Sequence, residues 1–211
     1  MKKLWKMFSD LLDVARGRLP EDLGPAQGIR LLSGAALSSL AFVAAWGIAA
    51  GSTDAVLALS NAAKVPMVLL FSVLAALPAG LLAHRLSDSS ESTRSLLLTL
   101  GGSIFAGSLV AAVLAPLVAV YYLSSAWAGP YLGMGSAFLA VGVAAVLLFR
   151  GGVRGAPATE RKSRLIPKLV FAAVTLGVMP QFIALASPIL PEHTIFDEGI
   201  DVVDAMPAEV R

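Results

Sequence analysis

Five long apolar runs divide this sequence, and none carries an Asp, Glu, Lys, Arg or His in its central part. No other feature constrains the fold as tightly. A helix needs about 20 predominantly apolar residues to cross the hydrocarbon of a bilayer. The runs cover approximately residues 31–50, 66–82, 96–123, 131–149 and 169–190. In lipid, only helices and closed barrels satisfy their own backbone polar groups. The runs show no alternating period-2 pattern of the kind that barrel strands require. The sequence therefore predicts an all-α integral membrane bundle of about five transmembrane helices.

Composition agrees with that reading. Charged residues make up 14% of the chain, whereas a soluble domain carries roughly a quarter. The apolar residues are largely Ala, Gly, Leu and Val, a mix that lets helix backbones approach closely in a membrane. There is no cysteine, which excludes disulfides, thiolate catalysis, iron–sulfur clusters and Cys-type zinc sites.

Ahead of the first run, Leu4, Phe8, Leu11, Leu12 and Ala15 recur at helical spacing. Residues 3–16 are expected to form an amphipathic helix. Trp5 and the neighbouring lysines suit a helix lying among lipid headgroups; packing on the protein's own loops is the alternative. Lys6, Asp10 and Asp13 interrupt the apolar stretch, so the segment does not read as a signal peptide. Leu19-Pro20 and Gly24-Pro25 end the helix. Three regions follow: residues 1–29 as amphipathic helix and linker, 30–190 as the five-helix membrane domain, and 191–211 as an acidic tail.

The connections differ in character. Residues 52–65 open on Ser52-Thr53-Asp54, a candidate helix cap, with a short interfacial helix expected over residues 55–59. Residues 86–95 are polar, residues 124–130 are short and uncharged, and residues 150–168 are basic and Gly-rich.

These charges orient the chain. With the amino terminus inside, every one of the 16 Lys and Arg residues except Lys64 and Arg211 falls on the inner side. The positive-inside rule expects this bias near span ends. A four-span or six-span arrangement would put basic segments on the wrong side. The expected location is a bacterial inner (cytoplasmic) membrane, with the carboxyl end outside.

The search for chemistry returns mostly absences. Ion-coupled transport and voltage sensing usually need an ionisable group at membrane depth, and none is present. Hydroxyls at Ser38, Ser39, Ser72, Thr99, Ser103, Ser108, Ser136 and Thr175 are read as bonding between helices or back to a helix carbonyl rather than as a substrate path. Ser136, in Gly133-Met134-Gly135-Ser136, invites comparison with an intramembrane serine protease, but that chemistry needs a base within reach. The chain has two histidines; His84 is expected at the inner end of the second span, across the bilayer from Ser136. His193 and the acidic residues around it lack the spacing of a calcium loop. Gly151, Gly152 and Gly155 lack the strand and lysine of a phosphate-binding loop, and the arginines beside them are expected to meet anionic lipid. No catalytic, cofactor or metal site is therefore expected.

Four residues stand as candidate interaction positions. Pro180 has no N–H, which frees a carbonyl in the preceding turn, and the amide of Gln181 follows it. Gly47 and Gly51 lie four apart, as in faces where membrane helices meet closely. Gly102 and Ala106, Gly107 and Ala111, and Gly133 and Ala137 repeat that spacing. Pro66, Pro78 and Pro116 are read as tolerated kinks.

The stretch Ala62-Ala63-Lys64-Val65-Pro66, the following apolar helix with Pro78, Ala115-Pro116, Gln181 and Ile195-Phe196 together resemble a pattern in small bacterial polytopic membrane proteins, loosely of the Yip1 type. The resemblance spans roughly residues 60–200 and implies a five-helix bundle without an assigned activity. The expectation is a non-enzymatic membrane subunit that scaffolds, anchors or regulates a larger assembly. A passive channel or simple transporter is the alternative. Expected partners are the lipid bilayer and other membrane-protein subunits or a second copy; nucleic acid is not among them.

Overall fold

The computed structural model describes residues 2–18, 24–125, 128–153 and 156–189. Among these the secondary structure is entirely helical. The elements are α1 (Lys2–Ala15), α2 (Pro25–Ala50), α3 (Ala55–Leu86), α4 (Thr93–Ser124), α5 (Ala128–Val153) and α6 (Arg161–Ala186). Helices α2 to α6 are each long and apolar enough to cross a membrane. The acidic tail expected over residues 191–211, with His193, lies outside the described residues.

Each helix starts and stops for identifiable reasons. Pro25 begins α2, where its missing N–H costs nothing. Asp54 caps α3, accepting from the N–H groups of Val56 at 2.7 Å and Leu57 at 3.0 Å. Ser92 caps α4 through the N–H of Ser95. These side chains satisfy donors that the first turn leaves unpaired.

The helices run alternately up and down. Gly28 of α2 lies against Arg94 at the start of α4, so these two are parallel. Helix α3 is antiparallel to α2, since Gly47 meets Asn61 and Gly51 meets Ala58. Gly151 of α5 faces Thr99 of α4, and Phe171 of α6 faces Gly80 of α3, each pair antiparallel. The turn ends that carry Arg85, Arg94, Arg150 and Arg161 consequently lie together. We refer to this as the basic end.

Helix α4 is the centre, packed against α2 and α5 along its length and against α1 near the basic end. Its small residues divide this work: a Cβ on Gly102 would come within 2.8 Å of Val14 in α1, and one on Gly107 within 2.6 Å of the Ala140 carbonyl in α5. Three apolar clusters result. One joins α1, α2 and α4 through Leu11, Val14, Leu31, Leu98 and Phe105. A second joins α3, α4, α5 and α6 at the basic end through Ala76, Leu96, Leu100, Leu148 and Phe171. The third fills the opposite end with Trp46, Ala50, Ala115, Val118, Tyr122 and Ala140.

Two expectations change. Residues 55–59 are not a separate interfacial helix; they are the first turns of α3, which continues unbroken through Lys64-Val65-Pro66 to Leu86. The amphipathic helix does form, and its apolar face packs on α2 and α4 rather than on loops. Its Phe8 ring stacks edge-on against Phe105 at 5.3 Å and Phe42 at 6.4 Å, inside the spans of α4 and α2. Trp5 stays exposed.

Candidate functional site

Polar side chains within the bundle are mostly consumed by their own helices. Ser72 donates to the Val68 carbonyl, Thr99 to Ser95, Ser103 to Leu100 and Thr175 to Phe171, at 2.7 to 2.9 Å. Such back-bonding hides a hydroxyl from lipid without a partner helix. Ser136 donates to Gly133 at 2.7 Å and accepts from Trp46 Nε1 at 2.8 Å, tying α5 to α2. Its hydroxyl is thus fully engaged in packing. His84 is buried at the basic-end terminus of α3, while Ser136 belongs to the opposite end.

Two buried polar positions emerge that the sequence alone had not singled out. Asn61 is fully buried, and its Nδ2 donates to the Ile189 carbonyl at 2.6 Å. With Lys64 Nζ, which donates to the Pro188 carbonyl at 3.0 Å, it fastens the chain beyond α6 across α3. Lys168 is fully buried at the basic end and pairs with Glu91 at 2.5 Å. Beside it, Arg164 pairs with Glu160 at 2.9 Å, and Ser90 donates to the same carboxylate. The Ser90 hydroxyl, then Arg164, hold the Glu160 carboxyl below its ordinary pKa. This network joins the 87–92 turn to the start of α6.

The four candidate interaction residues separate into two pairs. Gly47 and Gly51 serve contact within the chain. A Cβ on Gly47 would lie 2.6 Å from the Asn61 carbonyl, and one on Gly51 2.7 Å from the Ala58 backbone. Pro180 and Gln181, by contrast, are exposed on α6. Helix α6 buries Pro167, Lys168 and Phe171, all near the basic end, and its remaining turns lie largely open.

That open face has a distinctive make-up. Gly177 leaves space in which an added Cβ would meet nothing within 4 Å. Pro180 lies inside the helix, so the Leu176 carbonyl loses its usual N–H partner four residues on. The amide of Gln181 makes no hydrogen bond to a described residue. Gln181 stands 13 residues beyond Lys168, or about 20 Å along the axis, well within a hydrocarbon layer of about 30 Å. An unpaired amide there costs several kcal/mol, of order 2–7.

Two open grooves lie on the surface of the described residues. One, of about 530 Å³, runs between α2 and α4 toward the far end, with Ala49, Ala115 and Ala119 in its walls. The other, of about 430 Å³, lies between α5 and α6 at the basic end. No family model, no curated protein and no solved structure matches this chain.

Proposed function

We propose that the chain is a non-enzymatic, multi-pass subunit of a bacterial cytoplasmic membrane that anchors or regulates a larger membrane assembly. The observation that carries this reading is the open face of α6. There a Gly without neighbours, a carbonyl without its helix partner and an unpaired Gln amide lie within two turns. A second helix seated on this face supplies what the bare face lacks: the Gly admits close approach, and the amide and carbonyl gain partners. The back-bonded hydroxyls on the inner faces support packing over conduction.

The amino terminus and the basic end face the cytoplasm in this reading, following the bias of Lys and Arg. The chain has no cysteine, so single introduced cysteines report without background. A cysteine at Thr159 should react with an impermeant reagent only from the cytoplasmic side, and one at Thr53 only from outside. Reversed labelling would overturn the orientation.

The docking reading is tested in native membranes. Gly177→Cys or Gln181→Cys should give a cross-linked product of discrete added mass, whereas Val113→Cys, exposed on α4, should not. Equal behaviour at all three positions rejects α6 as a docking helix. Ion or solute flux through the purified protein in proteoliposomes would instead favour a passive channel.

A further inference from the structure

The cations on α6 and at the end of α5, near the 154–160 connection, include Arg150, Lys162, Arg164 and Lys168. Arg164 and Lys168 are neutralised by Glu160 and Glu91. Arg150 and Lys162 are exposed and form no ion pair with a described residue. The groove between α5 and α6 is lined by Phe149, Val153, Leu165 and Leu169, with Arg150 at its edge. Lys162, Leu165 and Leu169 follow one another at spacings of three and four, so Lys162 shares the α6 face that lines the groove, one turn nearer the helix start.

The groove therefore has an apolar body and a cationic mouth. Its volume of about 430 Å³ lies within the roughly 300–1,000 Å³ typical of ligand clefts. It is an open surface groove rather than an enclosed cavity, which suits a ligand that lies along the helices. Helices α5 and α6 touch far less than α4 and α5 do.

We infer that this cleft binds one anionic phospholipid, with an acyl chain along Phe149, Val153, Leu165 and Leu169 and the phosphate between Arg150 and Lys162. Charge complementarity selects the headgroup. A zwitterionic lipid brings an ammonium group to a mouth that already carries two cations, whereas a phosphatidylglycerol headgroup brings only negative charge. The inference is independent of the α6 docking face, because Gly177 and Gln181 lie two or more turns beyond Leu169.

The test is native mass spectrometry of the full-length protein released from mild detergent, with phosphatidylglycerol or phosphatidylethanolamine of matched acyl chains added. Phosphatidylglycerol should be retained as a single adduct, preferentially over phosphatidylethanolamine. Each cation near an anionic headgroup contributes about fivefold in affinity, so Arg150→Gln with Lys162→Gln should remove the preference. Arg85→Gln, at the same end but outside the cleft, should leave it intact. Leu169→Trp, which fills the groove, should reduce retention of both lipids. Equal retention of the two lipids by the unaltered protein would overturn the proposal, as would equal loss in Arg85→Gln. Displacement of the adduct by inorganic phosphate would place the recognition in the headgroup alone and reject the acyl groove.

Discussion

Helices α4 and α6 are close in hydropathy, with best-window means of 2.3 and 2.1, yet 44% of the residues in that window are buried in α4 and 6% in α6. Both are rich in apolar residues and both contain an internal proline. What separates them is where their small residues point. In α4, Gly102 and Gly107 are met by backbone and side chains from α1 and α5, while in α6 Gly177 meets nothing. Hydropathy reports that a helix suits a membrane. Close approach at glycine reports where protein, rather than lipid, covers it.

The largest effect expected from disturbing this contrast lies at the root of α6. Glu91→Ala leaves Lys168 fully buried without its counter-charge. Breaking a buried pair this way costs about 3–5 kcal/mol, read as a lower midpoint of unfolding in mixed micelles. Replacing both partners, as Glu91→Leu with Lys168→Met, should recover most of that loss, because an apolar pair avoids the desolvation cost of the charges.

Next comes the centre of α4. Gly107→Val places a branched side chain where even a Cβ would be 2.6 Å from the Ala140 carbonyl. Overpacking of this sort costs about 1–3 kcal/mol. Gly177→Val on α6 should leave the unfolding midpoint of the isolated protein within about 0.5 kcal/mol, the range of an open surface position. If the two substitutions were equally costly, the contrast between the helices would collapse.

A smaller effect is expected where α2 meets α5. Ser136→Ala strands the Trp46 Nε1 donor and should cost about 1 kcal/mol, visible as a shift in the unfolding midpoint and in Trp fluorescence. The least effect concerns pH. Glu160 has a lowered folded pKa, so its contacts favour the folded arrangement at pH values above the ordinary carboxylate pKa. That contribution fades as pH falls through the lowered folded value. Amide resonances of residues 87–92 should shift on acidification in the unaltered protein, and Glu160→Gln should flatten the response.

Much of this architecture was legible in the residues. Five apolar runs without central charge became five long helices, because lipid leaves a buried backbone few alternatives. The ends were less legible. Ser60, Asn61 and Lys64 lower the local hydropathy, which made the start of α3 read as a connection, although the Asp54 cap begins the helix earlier. By composition Lys168 belongs to a basic, Gly-rich connection, yet the helix starts at Arg161 and buries it. Its partner Glu91 is 77 residues away, and no local pattern announces such a pair.

The candidate positions divided for the same reason. The spacing of Gly47 and Gly51 marks a close contact, but spacing cannot say whether the contacting helix belongs to the same chain. Asn61, whose backbone occupies the Gly47 notch, carried no signal beyond being a lone amide in an apolar region. Pro180 and Gln181 are an oddity within a span; that they face outward follows from how little of α6 beyond Phe171 is buried.

The most direct test of the subunit reading is the native mass of the protein after mild solubilisation, compared with that of Gly177→Leu carrying Gln181→Leu. The account predicts a complex larger than one 21.8 kDa chain, lost in the double variant without loss of folding. A single chain of unchanged mass in both would contradict it.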